Sequence, residues 1–206
     1  MSLTIKNRVV VFDYGEVISR SPSEADRAIV LALAGDVDPD AFWAGYWAHR
    51  NDLDQGRIDV PGYWASIAAD IGADWAASTV YALWVADFRS WLSVEPTTID
   101  LIAELHAGGT RVALLSNAGF DFAGPFRFSP LGQYLERVFV SAEMDNIKPD
   151  AAIYREVAGN LGIELAQMVF IDNRKVNTDA AATLGVTVHH YEGPEGLTAF
   201  LHSLAL

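Results

Sequence analysis

The sequence predicts an α/β fold in which a doubly wound parallel sheet carries a large helical insertion after its first strand. Short runs of β-branched, aromatic and other apolar residues have the length and composition of strands that are buried on both faces. Helical patterns separate most of the runs that follow residue 94. This alternation of strands and helices is typical of a parallel sheet with helices on both of its faces.

Five apolar runs are expected to form the strands of this sheet. They cover residues 8–12, 111–115, 137–140, 168–171 and 186–189. Two of the helical patterns between them stop at a glycine, Gly108 and Gly162, and glycine is the residue most often found just after a helix. These stops support separate helices between successive strands.

The segment between the first two strands has a different sequence pattern, and we expect it to be wholly helical. Its candidate N-cap residues are Ser21, Asp38, Asp59 and Asp74, and the first two are followed directly by proline. All six tryptophans lie in this segment, where their spacing favours the packed core of a helical bundle over a ligand-binding surface. The predicted organisation is therefore a core domain of residues 1–19 and 94–206 and an inserted helical domain of residues 20–93.

Composition excludes several classes of function. The chain has 206 residues and no cysteine, so disulfides, thiolate metal sites and cysteine nucleophiles are ruled out and any metal must be held by carboxylates or histidines. A net charge of −13 disfavours nucleic acid and anionic membrane partners. No apolar run approaches the roughly 20 residues of a membrane span, and no secretory signal is evident. We therefore expect a cytoplasmic protein, either a monomer or a homodimer.

Polar residues follow four of the predicted strands at the points where ligands bind in open parallel sheets. These residues are Asp13 after the first strand, Ser116 and Asn117 after the second, Lys148 beyond the third, and Asp172 and Asn173 after the fourth. Each is a common turn or surface residue when taken alone. As a set they supply carboxylates, a hydroxyl, amides and an ammonium group. This set suits phosphoryl transfer to a carboxylate nucleophile with Mg²⁺, which prefers oxygen ligands.

Four segments in this order resemble the motifs of the haloacid dehalogenase (HAD) superfamily. They are VVVFDYGEVI at residues 9–18, LLSN at 114–117, Lys148-Pro149, and FIDNRKVNTDAAATLG at 170–185. The resemblance covers essentially the whole chain. It is greatest for subfamily IA, whose members carry a helical cap of the C1 type after the first strand, and extends to members similar to glucose-1-phosphate-type phosphatases.

The resemblance implies a Rossmann-like core and a role for each strand-end residue. Asp13 would be the nucleophile, with Ser116 and Asn117 near the phosphoryl oxygens and Lys148 as their counter-ion. The implied Mg²⁺ ligands are Asp13, the carbonyl of Gly15 and Asp172, with Asn173 in the position of a further acid. In the cap, Arg50 would face the cleft and meet a substrate anion or hydroxyl, although pairing with Asp54 is an equally good reading.

Two residues depart from the family pattern. Family phosphatases usually have an aspartate two residues after the nucleophile, where it protonates the leaving group, whereas this chain has Gly15 there and Glu16 next. We count Glu16 among the candidate substrate-binding residues, but whether it replaces the missing acid stays open. The fourth motif usually has a second acid where this chain has Asn173, and a weaker metal site is expected.

These observations predict a Mg²⁺-dependent phosphatase that hydrolyses a small phosphorylated metabolite through an aspartyl-phosphate intermediate. The first alternative is a 2-haloacid dehalogenase, which needs no metal. The carboxylate of Asp172 argues against it, because related dehalogenases generally have serine at that place. The second alternative is a catalytically degenerate relative that only binds a metabolite or a partner protein.

Overall fold

Five parallel strands form one central sheet in the computed structural model, which describes residues 2–205. The strands are β1 (Val9–Phe12), β2 (Arg111–Ser116), β3 (Arg137–Val140), β4 (Met168–Asp172) and β5 (Thr187–His190). They lie within one residue of the predicted bounds at each end. Met1 and Leu206, the outer ends of the predicted core domain, lie outside the described residues. The predicted fold class is confirmed.

The helices divide into an inserted group and a group that flanks the sheet. The insertion contains α1 (Glu24–Ala34), α2 (Pro39–Ala48), α3 (Arg50–Asp54), α4 (Val60–Ile71) and α5 (Ala77–Ser90). The core contains α6 (Pro96–Ala107), α7 (Phe120–Phe128), α8 (Ser141–Met144), α9 (Ala151–Leu161), α10 (Lys175–Thr183) and α11 (Pro194–Leu204), with short 3₁₀ helices at Pro130–Tyr134 and Leu165–Gln167.

The strand order β3-β2-β1-β4-β5 places β1 at the centre of the sheet. Phe12, the last residue of β1, is in register with Leu114 of β2 and Ile171 of β4. Because all three strands run in the same direction, the residues that follow them emerge at one edge of the sheet. This topology brings the predicted strand-end residues together.

Apolar side chains cover both faces of the sheet. Val10 and Phe12 of β1 belong to one core cluster, whereas Val9 and Val11 belong to another, as the alternation of side chains along a strand requires. All four are buried, which explains why the strand is a continuous apolar run. The sheet is thus a rigid support for the loops at its edge.

The insertion has an apolar core of its own, built largely from aromatic residues. Trp64 and Tyr46 are fully buried there, whereas Trp47 is 56% exposed, so the prediction of a bundle core holds for some of the tryptophans and fails for Trp47.

Two of the four predicted helix caps are observed in the structure. Asp38 and Asp59 each accept a hydrogen bond from a backbone N–H at the start of the following helix.

Two predicted helix caps are wrong. Helix α1 begins after Ser23 rather than Ser21, because Ser23 and Asp26 form a reciprocal capping box. Helix α5 follows Ala76 without a side-chain cap, so Asp74 does not cap it. The acidic partner Asp26 stands three residues after Ser23, and this spacing selects Ser23 rather than Ser21 as the cap.

Two linkers join the insertion to the core and run side by side. Ser19 and Val94 form an antiparallel bridge, and the backbone of Arg20 donates to the carbonyl of Ser93 at 2.6 Å. The predicted domain boundaries, which fall at these linkers, stay a prediction. Among the described residues, no helix has the length and apolar character needed to cross a membrane.

Candidate active site

The turn after β1 fixes the position of Asp13. Its backbone N–H donates to the carbonyl of Ile171 at 2.8 Å, which ties it to the end of β4. The Tyr14 carbonyl then accepts from the N–H groups of Ile18 and Ser19 at 2.9 and 2.8 Å, which closes a tight turn. Asp13 is therefore held at the sheet edge, and the residue is only 7% exposed to solvent.

Lys148 joins the ends of three strands. Its ammonium group donates to Oδ1 of Asp13 at 2.6 Å, to Oδ2 of Asp172 at 2.8 Å and to the carbonyl of Leu115 at 2.9 Å. Lys148 and Asp172 are buried. The structure therefore brings together three of the predicted site residues, from loops that are far apart in the sequence.

The charges in this cluster do not balance. Two carboxylates face one ammonium group in a buried position, so the cluster carries excess negative charge. Burial raises the pKa of Asp13, Lys148 opposes the rise and the charge of Asp172 adds to it, and the net pKa is about 7. Burial alone would lower the pKa of Lys148, but the two carboxylates raise it above its ordinary value. Lys148 therefore keeps its positive charge at neutral pH.

Asp172 is oriented by a residue that the sequence analysis did not select. The side-chain amide of Asn177 donates to both carboxylate oxygens at 3.0 Å, and the backbone N–H of Arg174 donates to Oδ1 at 2.8 Å. Asn177 is buried in the first turn of α10. An amide one turn into the helix that follows a strand-end aspartate is the signal that could have identified it.

Asn117 holds Lys148 rather than presenting its amide to the cleft. Its Nδ2 donates to the carbonyl of Lys148 and its Oδ1 accepts from the backbone N–H of Lys148, both at 3.0 Å. Ser116 is buried at the end of β2 and lines the same cavity as Asp13. Of the predicted phosphoryl-binding pair, Ser116 is therefore the residue whose side chain remains available.

Glu16 and Asn173 contact each other. Asn173 is itself a departure from the family pattern, and Glu16 directly follows the other one, Gly15. The side-chain amide of Asn173 donates to Oε2 of Glu16 at 2.6 Å, and the hydroxyl of Ser21 donates to Oε1. Both carboxylate oxygens of Glu16 are thus engaged. The metal role of Asn173 and the substrate-binding role of Glu16 stay predictions, although both residues line the cavity.

A cavity of about 740 Å³ lies between the strand ends and the insertion. Asp13 and Ser116 line it from the core, and Arg50, Asp54 and Trp91 line it from the insertion. A second cavity, of about 840 Å³ and more apolar, lies between α4 and α5 and does not include the strand-end residues. The chemistry of the strand ends favours the first cavity as the active site.

Arg50 pairs with Asp54 and also lines the cavity, whereas its contact with a substrate stays a prediction. It lines the cavity, and its guanidinium is bound to three side chains of the insertion. Nε donates to Oδ1 of Asp54 at 3.0 Å, and Nη1 donates to the hydroxyl of Tyr46 at 2.9 Å and approaches Oδ2 of Asp87 at 3.5 Å. Arg50, Asp54 and Asp87 therefore form a buried acidic network that faces the core.

The residues at the strand ends fit a Mg²⁺ ion. No described group of three or more histidine, aspartate or glutamate side chains could hold a metal. Asp13 and Asp172 are nevertheless two oxygen donors with uncompensated charge, and the Gly15 carbonyl accepts no backbone hydrogen bond within residues 2–205. Mg²⁺ commonly uses one or two carboxylates and keeps several waters, so this donor set suits it.

Comparison with known proteins identifies a family and a fold. A model of the haloacid dehalogenase-like hydrolases matches residues 8–185. A HAD family enzyme of Bacteroides thetaiotaomicron superposes with a TM-score of 0.72 at 21% identity, covering 88% of this chain and 92% of that one. The same enzyme has been crystallised with magnesium and inorganic phosphate. A dehalogenase intermediate complex superposes with a TM-score of 0.71 at 16% identity, covering 95% and 97% of the two chains.

Two curated relatives match over shorter segments. Flavin mononucleotide hydrolase 1 of Arabidopsis thaliana is 34% identical over 76 residues, which are 37% of this chain and 31% of the relative. The plasmid-encoded phosphoglycolate phosphatase of Cupriavidus necator is 30% identical over 112 residues, which are 52% of this chain and 48% of the relative. The chain thus matches less than half the length of either relative.

Proposed function

Because the chain belongs to the haloacid dehalogenase-like hydrolase family, we propose that it is a Mg²⁺-dependent phosphatase that hydrolyses a small phosphate monoester. Asp13 forms the aspartyl-phosphate intermediate. Residues 1–19 and 94–206 act as the catalytic core, and residues 20–93 act as a cap over the cavity. The substrate is a soluble small molecule, in keeping with a net charge of −13 that repels polyanions.

One observation carries this proposal: a second carboxylate, Asp172, stands beside the nucleophile and shares its ammonium partner. Lys148 lies within 2.8 Å of both carboxylates, and the site still retains excess negative charge. A site built to displace a halide from carbon has no use for this additional anion, whereas a cation site that receives phosphate does. One relative is named a flavin mononucleotide hydrolase, another is named a phosphoglycolate phosphatase, and a structural neighbour was solved with magnesium and inorganic phosphate; these names support the same proposal.

The side chains can divide the reaction between them. Asp13 attacks phosphorus with its carboxylate oxygen, while Lys148 offsets the charge of the phosphoryl oxygens and holds Asp13 in place. Ser116 donates its hydroxyl to a phosphoryl oxygen, and Asn117 keeps Lys148 in position through its backbone. Asn177 holds Asp172. When bound by Asp13, Asp172 and the Gly15 carbonyl, Mg²⁺ would stabilise the negative charge that develops on the phosphoryl group.

The test measures phosphate and halide release by the purified chain. A panel of phosphate monoesters and short 2-haloacids would be assayed with Mg²⁺ and with EDTA, using the unmodified protein and Asp172→Ser. We expect phosphate release that requires Mg²⁺ and is lost in Asp172→Ser. Halide release that persists in EDTA would replace the proposal with a dehalogenase, and release of neither product would support a binding protein.

A further inference from the structure

The core of the active site offers no proton donor for the leaving group. Gly15 has no side chain, and both carboxylate oxygens of Glu16 accept hydrogen bonds from Asn173 and Ser21. Lys148 is held between two carboxylates that raise its pKa, so it keeps its proton. General acid catalysis is typically worth about 10²–10⁴-fold in rate. If the protein cleaves alkyl phosphates, the proton must come from another group at the cavity.

Asp54 is an acid of the insertion that is anchored to the core beside the phosphoryl-binding loop. Its backbone carbonyl accepts a hydrogen bond from the hydroxyl of Ser141, which in turn accepts from the backbone N–H of Ala118 at 2.9 Å. Ala118 lies two residues after Ser116. The backbone of Asp54 is therefore tied to the same loop that carries a predicted phosphoryl ligand.

The carboxyl group of Asp54 has one free oxygen. Oδ1 accepts from Nε of Arg50 at 3.0 Å, and Oδ2 accepts no hydrogen bond from any side chain or backbone group of residues 2–205. The neighbouring acid Asp87 has both oxygens occupied, by the hydroxyl of Tyr46 and by Arg50. Asp54 lines the cavity that contains Asp13. Asp26 of α1 lines it as well, but the hydrogen bonds of its carboxylate with Ser23 form the cap of α1 and lower its pKa, so Asp54 is the better proton donor.

We propose that Asp54 is the general acid of this enzyme, supplied by the cap in place of the acid that is absent at Gly15. This inference rests on the proposed phosphatase function. As Asp13 attacks phosphorus, the bond from phosphorus to the leaving oxygen breaks and that oxygen takes the proton of the Asp54 carboxyl group. The Asp54 carboxylate then accepts a proton from the water that attacks the aspartyl-phosphate, which releases phosphate and restores both aspartates.

The surroundings of Asp54 suit this role. Burial raises the pKa of Asp54, Arg50 on its own helix opposes the rise, Asp121 on α7 and Asp87 on α5 add to it, and the net pKa is about 6. The hydroxyl of Tyr63 on α4 also faces this network. An acid with a pKa near neutral retains enough of its protonated form to donate and is regenerated easily after the second step.

The decisive experiment compares leaving groups in two matched variants. The alcohol that departs from β-glycerophosphate needs a proton, whereas the phenolate of p-nitrophenyl phosphate leaves without one. Asp54→Asn should lower kcat by about 10²–10⁴-fold for the first ester and by less than about tenfold for the second. Asp87→Asn, which removes a buried carboxylate from the same network, should lower both rates by one common factor.

A second part of the experiment introduces an acid at position 15. A side-chain Cβ at Gly15 would meet Trp91 at 3.9 Å and Asp13 at 4.0 Å, which are ordinary contacts, so Gly15→Asp can be accommodated. Combined with Asp54→Asn it should recover the β-glycerophosphate rate. Asp54→Glu should preserve the preference of the unmodified protein. The ratio of β-glycerophosphate to p-nitrophenyl phosphate rates should fall as pH rises above about 6, and Asp54→Asn should remove this dependence.

The outcomes separate the two proposals. An equal loss for both esters in Asp54→Asn, with folding verified by thermal unfolding, would overturn the assignment of Asp54. So would a pH-independent ratio of the two rates in the unmodified protein. Failure of the unmodified protein to release phosphate from either ester with Mg²⁺ present would instead overturn the proposed phosphatase function.

Discussion

The side-chain amide nitrogen of Asn173 lies 2.6 Å from a carboxylate oxygen of Glu16. Asn173 stands where the family pattern has a second acid, and Glu16 stands next to Gly15, where the usual proton donor is absent. The hydrogen bond between Asn173 and Glu16 therefore links the two positions at which this chain departs from the family pattern. An acid at position 173 would face the Glu16 carboxylate, so a donor amide at that position is what the local charge requires.

Asn173→Asp should therefore destabilise the protein by about 1 kcal/mol, because it replaces a donated hydrogen bond with two facing carboxylates at a partly exposed site. Adding Glu16→Gln should recover most of this loss, since the glutamine amide can donate to the new aspartate. Urea unfolding of the two single variants and the double variant gives the coupling energy directly. Strictly additive effects would show that the two side chains do not interact.

Replacing the proposed nucleophile tests catalysis separately from folding. Asp13→Asn keeps the shape of the side chain but makes it a poor nucleophile, so phosphate release should fall below detection while the unfolding temperature changes little. The matched control is Asp179→Asn, which removes an exposed carboxylate whose side-chain partner within residues 2–205 is Lys175, and it should leave turnover unchanged. Substantial turnover in Asp13→Asn would exclude covalent catalysis by Asp13.

Metal binding can be followed without measuring activity. At a Mg²⁺ concentration of 100 times its dissociation constant, the ion should stabilise the native state by about 2.7 kcal/mol. For a chain of this size we expect a rise in Tm of roughly 5–10 °C. Asp172→Asn should abolish most of the rise because it removes a proposed ligand, whereas Asp179→Asn should retain it. An unchanged rise in Asp172→Asn would place the ion elsewhere.

The sequence was sufficient for those parts of the site that depend on topology. Asp13 and Asp172 each directly follow an apolar run, and parallel strands bring their ends to one edge of the sheet. Lys148 could be added to them because it follows the third strand. Their convergence follows from the direction of the strands and needs no knowledge of packing.

The contributions of the insertion could not be predicted in this way. Asp54 becomes part of the site because α3 packs on the loop and short helix that contain Ala118 and Ser141, and no local pattern encodes that contact. Helical periodicity indicates which face of α3 is buried but not which part of the core lies against it. The same limit applies to the pairing of Glu16 with Asn173, which are 157 residues apart in the sequence.

The raised pKa of Asp54 predicts a dependence of stability on pH. Its folded pKa, about 6, lies above the ordinary aspartate value of 3.8, so the unfolded state ionises first and stability falls as pH rises between these values. Asp54→Asn removes this penalty. Between pH 4.5 and 7.5 the stability of the variant relative to the unmodified protein should rise by about 2 kcal/mol, measured by urea unfolding.

Asp26, which is less buried than Asp54, provides the contrast for this measurement. Hydrogen bonds from Ser23 lower the pKa of Asp26, so its contribution to stability is present at neutral pH and is lost as pH falls through the lowered pKa. Asp26→Asn should therefore lose stability relative to the unmodified protein as pH rises. Parallel pH dependences for Asp54→Asn and Asp26→Asn would contradict the raised pKa of Asp54.

Gly56, two residues after Asp54, lies close to two core residues, Phe120 and Ala142. Its φ is +71°, and a Cβ there would lie 2.6 Å from the ring of Phe120 and 3.0 Å from the carbonyl of Ala142. Gly56→Ala thus combines the cost of a left-handed backbone with a clash that pushes the end of α3 away from the core. If Asp54 acts from this position, the variant should lose activity on alkyl phosphates more than on aryl phosphates.

Gly72 supplies a matched control for this substitution. Its φ is +69°, yet a Cβ there would meet nothing within 4 Å, so Gly72→Ala carries the backbone cost alone, about 1–2 kcal/mol. Gly56→Ala should destabilise the protein by more than this, because Phe120 and the backbone of Ala142 must move to admit the new methyl group. Urea unfolding and the two ester rates would be measured for both variants. Equal destabilisation, with no change in ester preference, would mean that the contact at Gly56 neither strains the fold nor positions Asp54.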